Sequence, residues 1–197
     1  MKTIYVLFLI SLILISCKNQ SNEQAGKNSN GTTKNVIHAN PFLISAKGVG
    51  AFDVNDKFPD LNDSTYEKKD TLIFKEGDEF FYRSIYQMDT LRLVISLSPN
   101  DSIYDITILS PKYKNNQGLG VGCKLSQILT VYNDFEIFYS YVSGNFVVYS
   151  KQIENLQFII DSNAYKGDKK KLNNSDIIIL KHEDFIEDAE ITKIRIF

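Results

Sequence analysis

The sequence predicts an α+β domain built mainly on a twisted antiparallel sheet, with about seven to nine strands and one or two short helices. Three observations carry this. Apolar and polar residues alternate with period two through most of the chain, as in Leu91-Arg92-Leu93-Val94-Ile95-Ser96-Leu97. Eleven tyrosines and thirteen phenylalanines supply side chains that pack well on a pleated surface. Helical spacing is clear over one short stretch, Leu125, Ile128, Leu129 and Tyr132, which sit at i, i+3, i+4 and i+7.

The first element is not part of the domain. A single Lys2 precedes a charge-free apolar run, Ile4 to Ile15, and the small Ser16 leads into Cys17. This is the pattern of a secretory signal, too short to be read as a spanning helix. Leu14-Ile15-Ser16-Cys17 is apolar three residues before the cysteine and small just before it. It resembles the lipobox of bacterial lipoproteins. The resemblance implies a diacylglyceryl group on the Cys17 thiol, cleavage before it and acylation of the new amine. Several acyl chains anchor stably where a single chain binds only marginally.

From Lys18 to Lys34 the chain reads KNQSNEQAGKNSNGTTK, without an aromatic residue. Such a composition cannot bury enough apolar surface to offset its ordering entropy, so a flexible tether is expected. The expected division is therefore 1–16 signal peptide, 17–35 anchor and tether, and 36–197 a single β-rich domain. Lys18 stands where some lipoproteins carry an inner-membrane retention aspartate. The absence of that aspartate favours the outer membrane, and the domain is expected to be periplasm-facing or surface-exposed. Removing Lys2 with the signal takes the formal net charge from −2 to −3. No basic face emerges, which argues against nucleic acid. With Cys17 acylated, Cys123 has no disulfide partner in its own chain.

Within the domain, Glu79 to Met88 reads as an aromatic-rich strand. Met88-Asp89-Thr90 turns it into the Leu91–Leu97 strand, and Ser98-Pro99-Asn100-Asp101 turns that into Ile103 to Leu109, a three-strand meander. A second set follows: Phe135 to Tyr141, the Ser143-Gly144-Asn145 turn, Phe146 to Tyr149, and Leu156 to Ile160. Asp176 to Leu180 and Ile191 to Phe197 complete the strands, and Lys166 to Lys171 reads as a solvated turn. Lys181 to Asp188 is the candidate second helix.

The glycine run Gly118, Gly120 and Gly122 precedes the first helix. A P-loop needs G-x-x-x-x-G-K-[ST] and a dinucleotide fold G-x-G-x-x-G, so G-x-G-x-G fits neither. An internal echo favours a structural turn. Val54-Asn55-Asp56-Lys57-Phe58-Pro59-Asp60-Leu61 matches Val121 to Ile128, with Asn55 in place of Gly122. Gly and Asn are the residues that most readily take a left-handed backbone. Pro59 would then sit in a first helical turn, and the echo would mark two weakly repeated halves. Leu119, Gly122, Leu125 and Ile128 also resemble the strand-to-helix motif G-[IVL]-x-x-G-[SM]-[ST]-[LFY]-x-[ED]-[VI] of small exported bacterial α+β proteins. Cys123, Lys124 and Gln127 depart from it. That resemblance implies a scaffold and leaves activity open.

Catalytic candidates are few. Cys123 with His182 and either Asp184 or Asn174 could form a cysteine dyad, since such partners lie far apart in sequence; His38 is the other histidine. A lone thiol is more often a buried filler. His182, Glu183, Asp184, Glu187, Asp188 and Glu190 offer oxygen and nitrogen ligands but lack zincin or EF-hand spacing, so a solvated acidic face is the better reading. Tyr82, Tyr86 and Tyr104 could share an exposed face and form a recognition surface. The expectation is a non-enzymatic, lipid-anchored envelope module that binds a protein, peptide or envelope ligand, without cofactor or metal. The alternatives are an envelope hydrolase using carboxylates or Cys123/His182, and a purely structural envelope component.

Overall fold

Alternation in the strands sends one set of side chains to a single core, and that core orders the whole β domain. A computed structural model describes residues 40–61, 66–75 and 78–197; the expected signal peptide, lipobox and tether, and His38, lie outside them. The described residues form one compact unit. Its strands are β1 (Gly48–Val49), β2 (Phe52–Asp53), β3 (Glu67–Lys75), β4 (Asp78–Gln87), β5 (Thr90–Leu97) and β6 (Ile103–Ile108), then β7 (Phe135–Ser140), β8 (Asn145–Ser150), β9 (Leu156–Ile160), β10 (Ile177–Leu180) and β11 (Ile191–Ile196). The helix α1 spans Leu125–Val131.

β1 and β2 form a small hairpin; the other nine strands form one sheet in the order β10-β7-β8-β9-β11-β6-β5-β4-β3, every pair antiparallel. The domain is thus more strand-rich than the sequence suggested. The first meander has four strands because β3 precedes it. The last strand, β11, inserts between β6 and β9 and joins the two meanders. The Met88-Asp89 turn takes positive φ at both residues, 50° and 55°, the conformation that matches hairpin twist.

On the first face of the sheet, Ile85, Leu93, Ile95, Ile106, Ile108, Phe158 and Ile194 are buried. Leu125 and Ile128 of α1 cover them, together with Ile44, Val49, Phe52, Tyr113, Leu119 and Cys123 from the connecting segments. The helix starts where expected. The Gln127 side chain accepts from the Lys124 amide at 2.8 Å, and Leu125 N–H donates to Ala189 at 2.7 Å.

The candidate second helix does not form, which leaves one α-helix among the described residues. Lys181 to Asp188 contains only a 3-10 turn, His182–Asp184. Its backbone is committed elsewhere: Ile186 N–H donates to Ala164, and Phe185 bridges to Tyr165. These contacts bury Phe185 and Ala189 without an i→i−4 ladder.

The echo is local. Asn55 and Gly122 both take the left-handed backbone, at φ 72° and 80°. Helix follows only the second copy, because Lys57 pairs with Ser102 and Phe58 N–H donates to Asp101. Pro59 therefore stands outside any helix. A Cβ at Gly122 would meet nothing within 4 Å, whereas at Gly120 it would lie 2.2 Å from the Tyr113 carbonyl. Gly122→Val is expected to cost about 1–3 kcal/mol through backbone strain alone, and Gly122→Asn far less, as read by urea unfolding. Equal cost for the two variants would contradict the strain account.

Candidate functional site

The second face of the sheet carries the site. Register places Tyr82 opposite Ser96, Ser96 opposite Asp105, Val94 opposite Thr107, Thr107 opposite Arg195, and Lys193 opposite Ile159. Direct cross-strand partners point to the same side of the sheet. These residues, with Phe80, Tyr104, Ser143 and Asn145, line one cavity of about 390 Å³. β4 and β8 are five strands apart in the sheet order. A flat sheet would separate them by roughly 24 Å at about 4.8 Å per strand. Phe80 and Tyr82 nevertheless share the cavity with Asn145 and the Ser143 turn, so the sheet curls strongly and this face is concave. Val147 and Ile159, on this face and outside the main core, are buried by the curl.

Three polar side chains, Ser96, Asp105 and Thr107, form the floor. Asp105 is 4% exposed and Ser96 6%. Arg195 Nε donates to Asp105, as does the Thr107 hydroxyl. Burial outweighs Arg195 and holds the Asp105 carboxyl above its ordinary range. Ser96 is hydrogen-bonded to Tyr104, whose phenol is pushed up by burial and by the adjacent Tyr82. Tyr104 is the extra residue where register shifts between Ser96 and Leu97, which brings it beside Asp105 at the rim.

Of the expected recognition surface, Tyr82 and Tyr104 meet in this cavity. Tyr86 lies four residues further along β4, with the Lys69 ammonium 4.5 Å from its ring centre. Sequence reasoning missed Asp105, Thr107, Lys193 and Arg195, because Asp105 and Arg195 are joined only across a separation of 90 residues. The available signal was polar residues alternating with core residues on β6 and β11.

The remaining candidates separate. Cys123 is buried, and burial pushes its thiol up; the nearby charges are Lys114 and Glu190. His182 instead pairs with Glu183 at 3.2 Å and is exposed with it. Iodoacetamide should therefore leave Cys123 unmodified in the folded chain and label it in denaturant. Stoichiometric labelling of the native protein would contradict this. Asp188 pairs with Lys124, and among the described residues no three His, Cys, Asp or Glu side chains gather as a metal site. Gly118, Gly120 and Gly122 form the turn before α1, with Gly118 N–H donating to Asn115 and Gly122 N–H to Ile191.

Two further hollows adjoin the sheet. One, of about 340 Å³, lies beside Arg83 and is lined by Leu72, Phe81, Leu97 and Pro99. There Arg83 is already bonded to Asp70 at 2.7 and 2.9 Å and to Asp101 at 3.3 Å, and it stacks 4.3 Å from the Phe58 ring centre. The other brings Lys169 and Lys170 beside Gly144, Tyr139 and Phe146.

The fold has a solved counterpart. The crystal structure of the uncharacterized protein yfeY from Escherichia coli superposes with a TM-score of 0.57 and 13% identity, covering 78% of this chain and 98% of that one. At that identity the likeness concerns the fold alone. No family model and no curated protein matches the chain.

Proposed function

We propose that this chain is a lipid-anchored protein of the bacterial envelope, without enzymatic activity, whose β domain binds a ligand on its concave sheet face. The observation that carries the reading is the cavity itself: Tyr82, Tyr104 and Ile159 give it apolar walls over a polar floor of Ser96, Asp105 and Thr107. Apolar walls with a few convergent polar groups are what small-ligand sites use. The buried thiol and the exposed, carboxylate-paired histidine favour binding over nucleophilic chemistry. The tether rests on the lipobox-like Leu14–Cys17 and the polar stretch behind it. An outer-membrane, periplasm-facing or surface position follows from the same segment.

Thr107→Phe fills the cavity from its floor and leaves the N-terminus untouched. Small molecules released by denaturing the chain purified from its native membrane should include a species absent from the Thr107→Phe preparation. Identical extracts from two equally folded preparations would overturn the binding role.

A further inference from the structure

We propose that the concave cavity grips an anionic group, a carboxylate or a phosphate, between the Lys193 ammonium and the Arg195 guanidinium, with the ligand's apolar body against Tyr82 and Tyr104. The inference rests on the binding role above and adds the chemical class of the ligand. Lys193 and Arg195 are two residues apart on β11, so both project from the same face, roughly 7 Å apart along the strand. Arg195 is paired on both sides, with Thr107 of β6 and Gln157 of β9, and Lys193 on one, with Ile159 of β9, which fixes the base of each side chain.

The charge on this wall is available. Among the described residues no carboxylate pairs with Lys193. Arg195 is held by Asp105 yet keeps 46% of its side chain exposed, and a guanidinium has more donors than one such contact uses. Lys193 and Arg195 against Asp105 give the lining a formal charge of +1, in a chain whose net charge is −2. Ser96, Thr107, Ser143 and Asn145 add neutral hydrogen-bonding groups around the same space. The hollow beside Arg83 differs in this respect, since Asp70 and Asp101 already take up its guanidinium.

Isothermal titration of the full chain in mild detergent tests the grip, with naphthyl phosphate as the anionic probe and naphthyl glucoside as the neutral one. Naphthyl phosphate should bind at least about tenfold more tightly than the glucoside. Lys193→Gln should weaken the phosphate probe by about tenfold and leave the glucoside unchanged, the size expected for one charge-assisted contact. Equal affinity for both probes, insensitive to Lys193→Gln, would overturn the anion grip and leave the cavity as a ligand site. Binding of neither probe would overturn the grip together with the cavity reading. Displacement of the bound probe by inorganic phosphate supports a phosphate-bearing ligand, and displacement by acetate a carboxylate-bearing one. Displacement by neither contradicts the grip.

Discussion

Phe158→Ala is expected to lower the free energy of unfolding by about 3–5 kcal/mol, the usual cost of emptying a buried aromatic site. Phe158 is 1% exposed on β9, with Val148 of β8 opposite it on one side and Ile194 of β11 on the other. Its ring centre lies 6.4 Å from that of Tyr132, at the C-terminal end of α1. The ring thus joins the helix to the strand beside β11. Neighbouring backbone is fixed by two ladders, so the hole cannot collapse freely. Because whole domains are stable by only about 5–15 kcal/mol, the variant should be marginally folded at room temperature. Gln157→Ala, one residue away and on the opposite face, should cost less than about 1 kcal/mol. Urea unfolding monitored by circular dichroism reads both, and equal losses would contradict the assigned faces.

Cys17→Ala is expected to act on location without touching the fold. The proposed tether needs the thiol, because the diacylglyceryl group is attached through sulfur. Without it the lipobox-like Leu14–Cys17 segment loses its reactive atom, and the alternative anchor, a short apolar signal, is poorly matched to a bilayer. The expected result is an unprocessed precursor with no incorporated palmitate label, its β domain melting as in the parent. Normal labelling and normal membrane partitioning of Cys17→Ala would contradict the tether.

Much of the sheet was legible because each strand solves a local problem. Leu91 to Leu97 and Leu156 to Ile160 read as strands from alternation or apolar runs alone. α1 was legible from the spacing of Leu125 and Ile128 and the turn before it. β3 was not, since Glu67-Lys68-Lys69-Asp70 precedes Leu72-Ile73-Phe74 and an edge strand exposed on both faces needs no alternation. Charges along such an edge also discourage pairing with other chains. Lys181 to Asp188 forms no helix because distant segments take its backbone: Phe185 bridges to Tyr165 and Ile186 N–H donates to Ala164.

The site was harder to read than the fold. Tyr82 and Tyr104 stood out as aromatics, yet nothing local joins them to Lys193 and Arg195. They converge only because β11 returns to the middle of the sheet and the sheet then curls. Cys123 and the glycine run attracted attention through residue type, and packing accounts for both. Cys123 fills the core under the turn, and Gly122 supplies the left-handed residue that turns the chain into α1.

An amide chemical-shift map of the nitrogen-labelled chain, titrated with naphthyl phosphate, tests the central claim most directly. The shifts should concentrate at Tyr82, Ser96, Tyr104 to Thr107, Lys193 and Arg195, across strands that only the curled sheet brings together. Shifts confined to the hollow beside Arg83, or to the surface around Lys169 and Lys170, would contradict it.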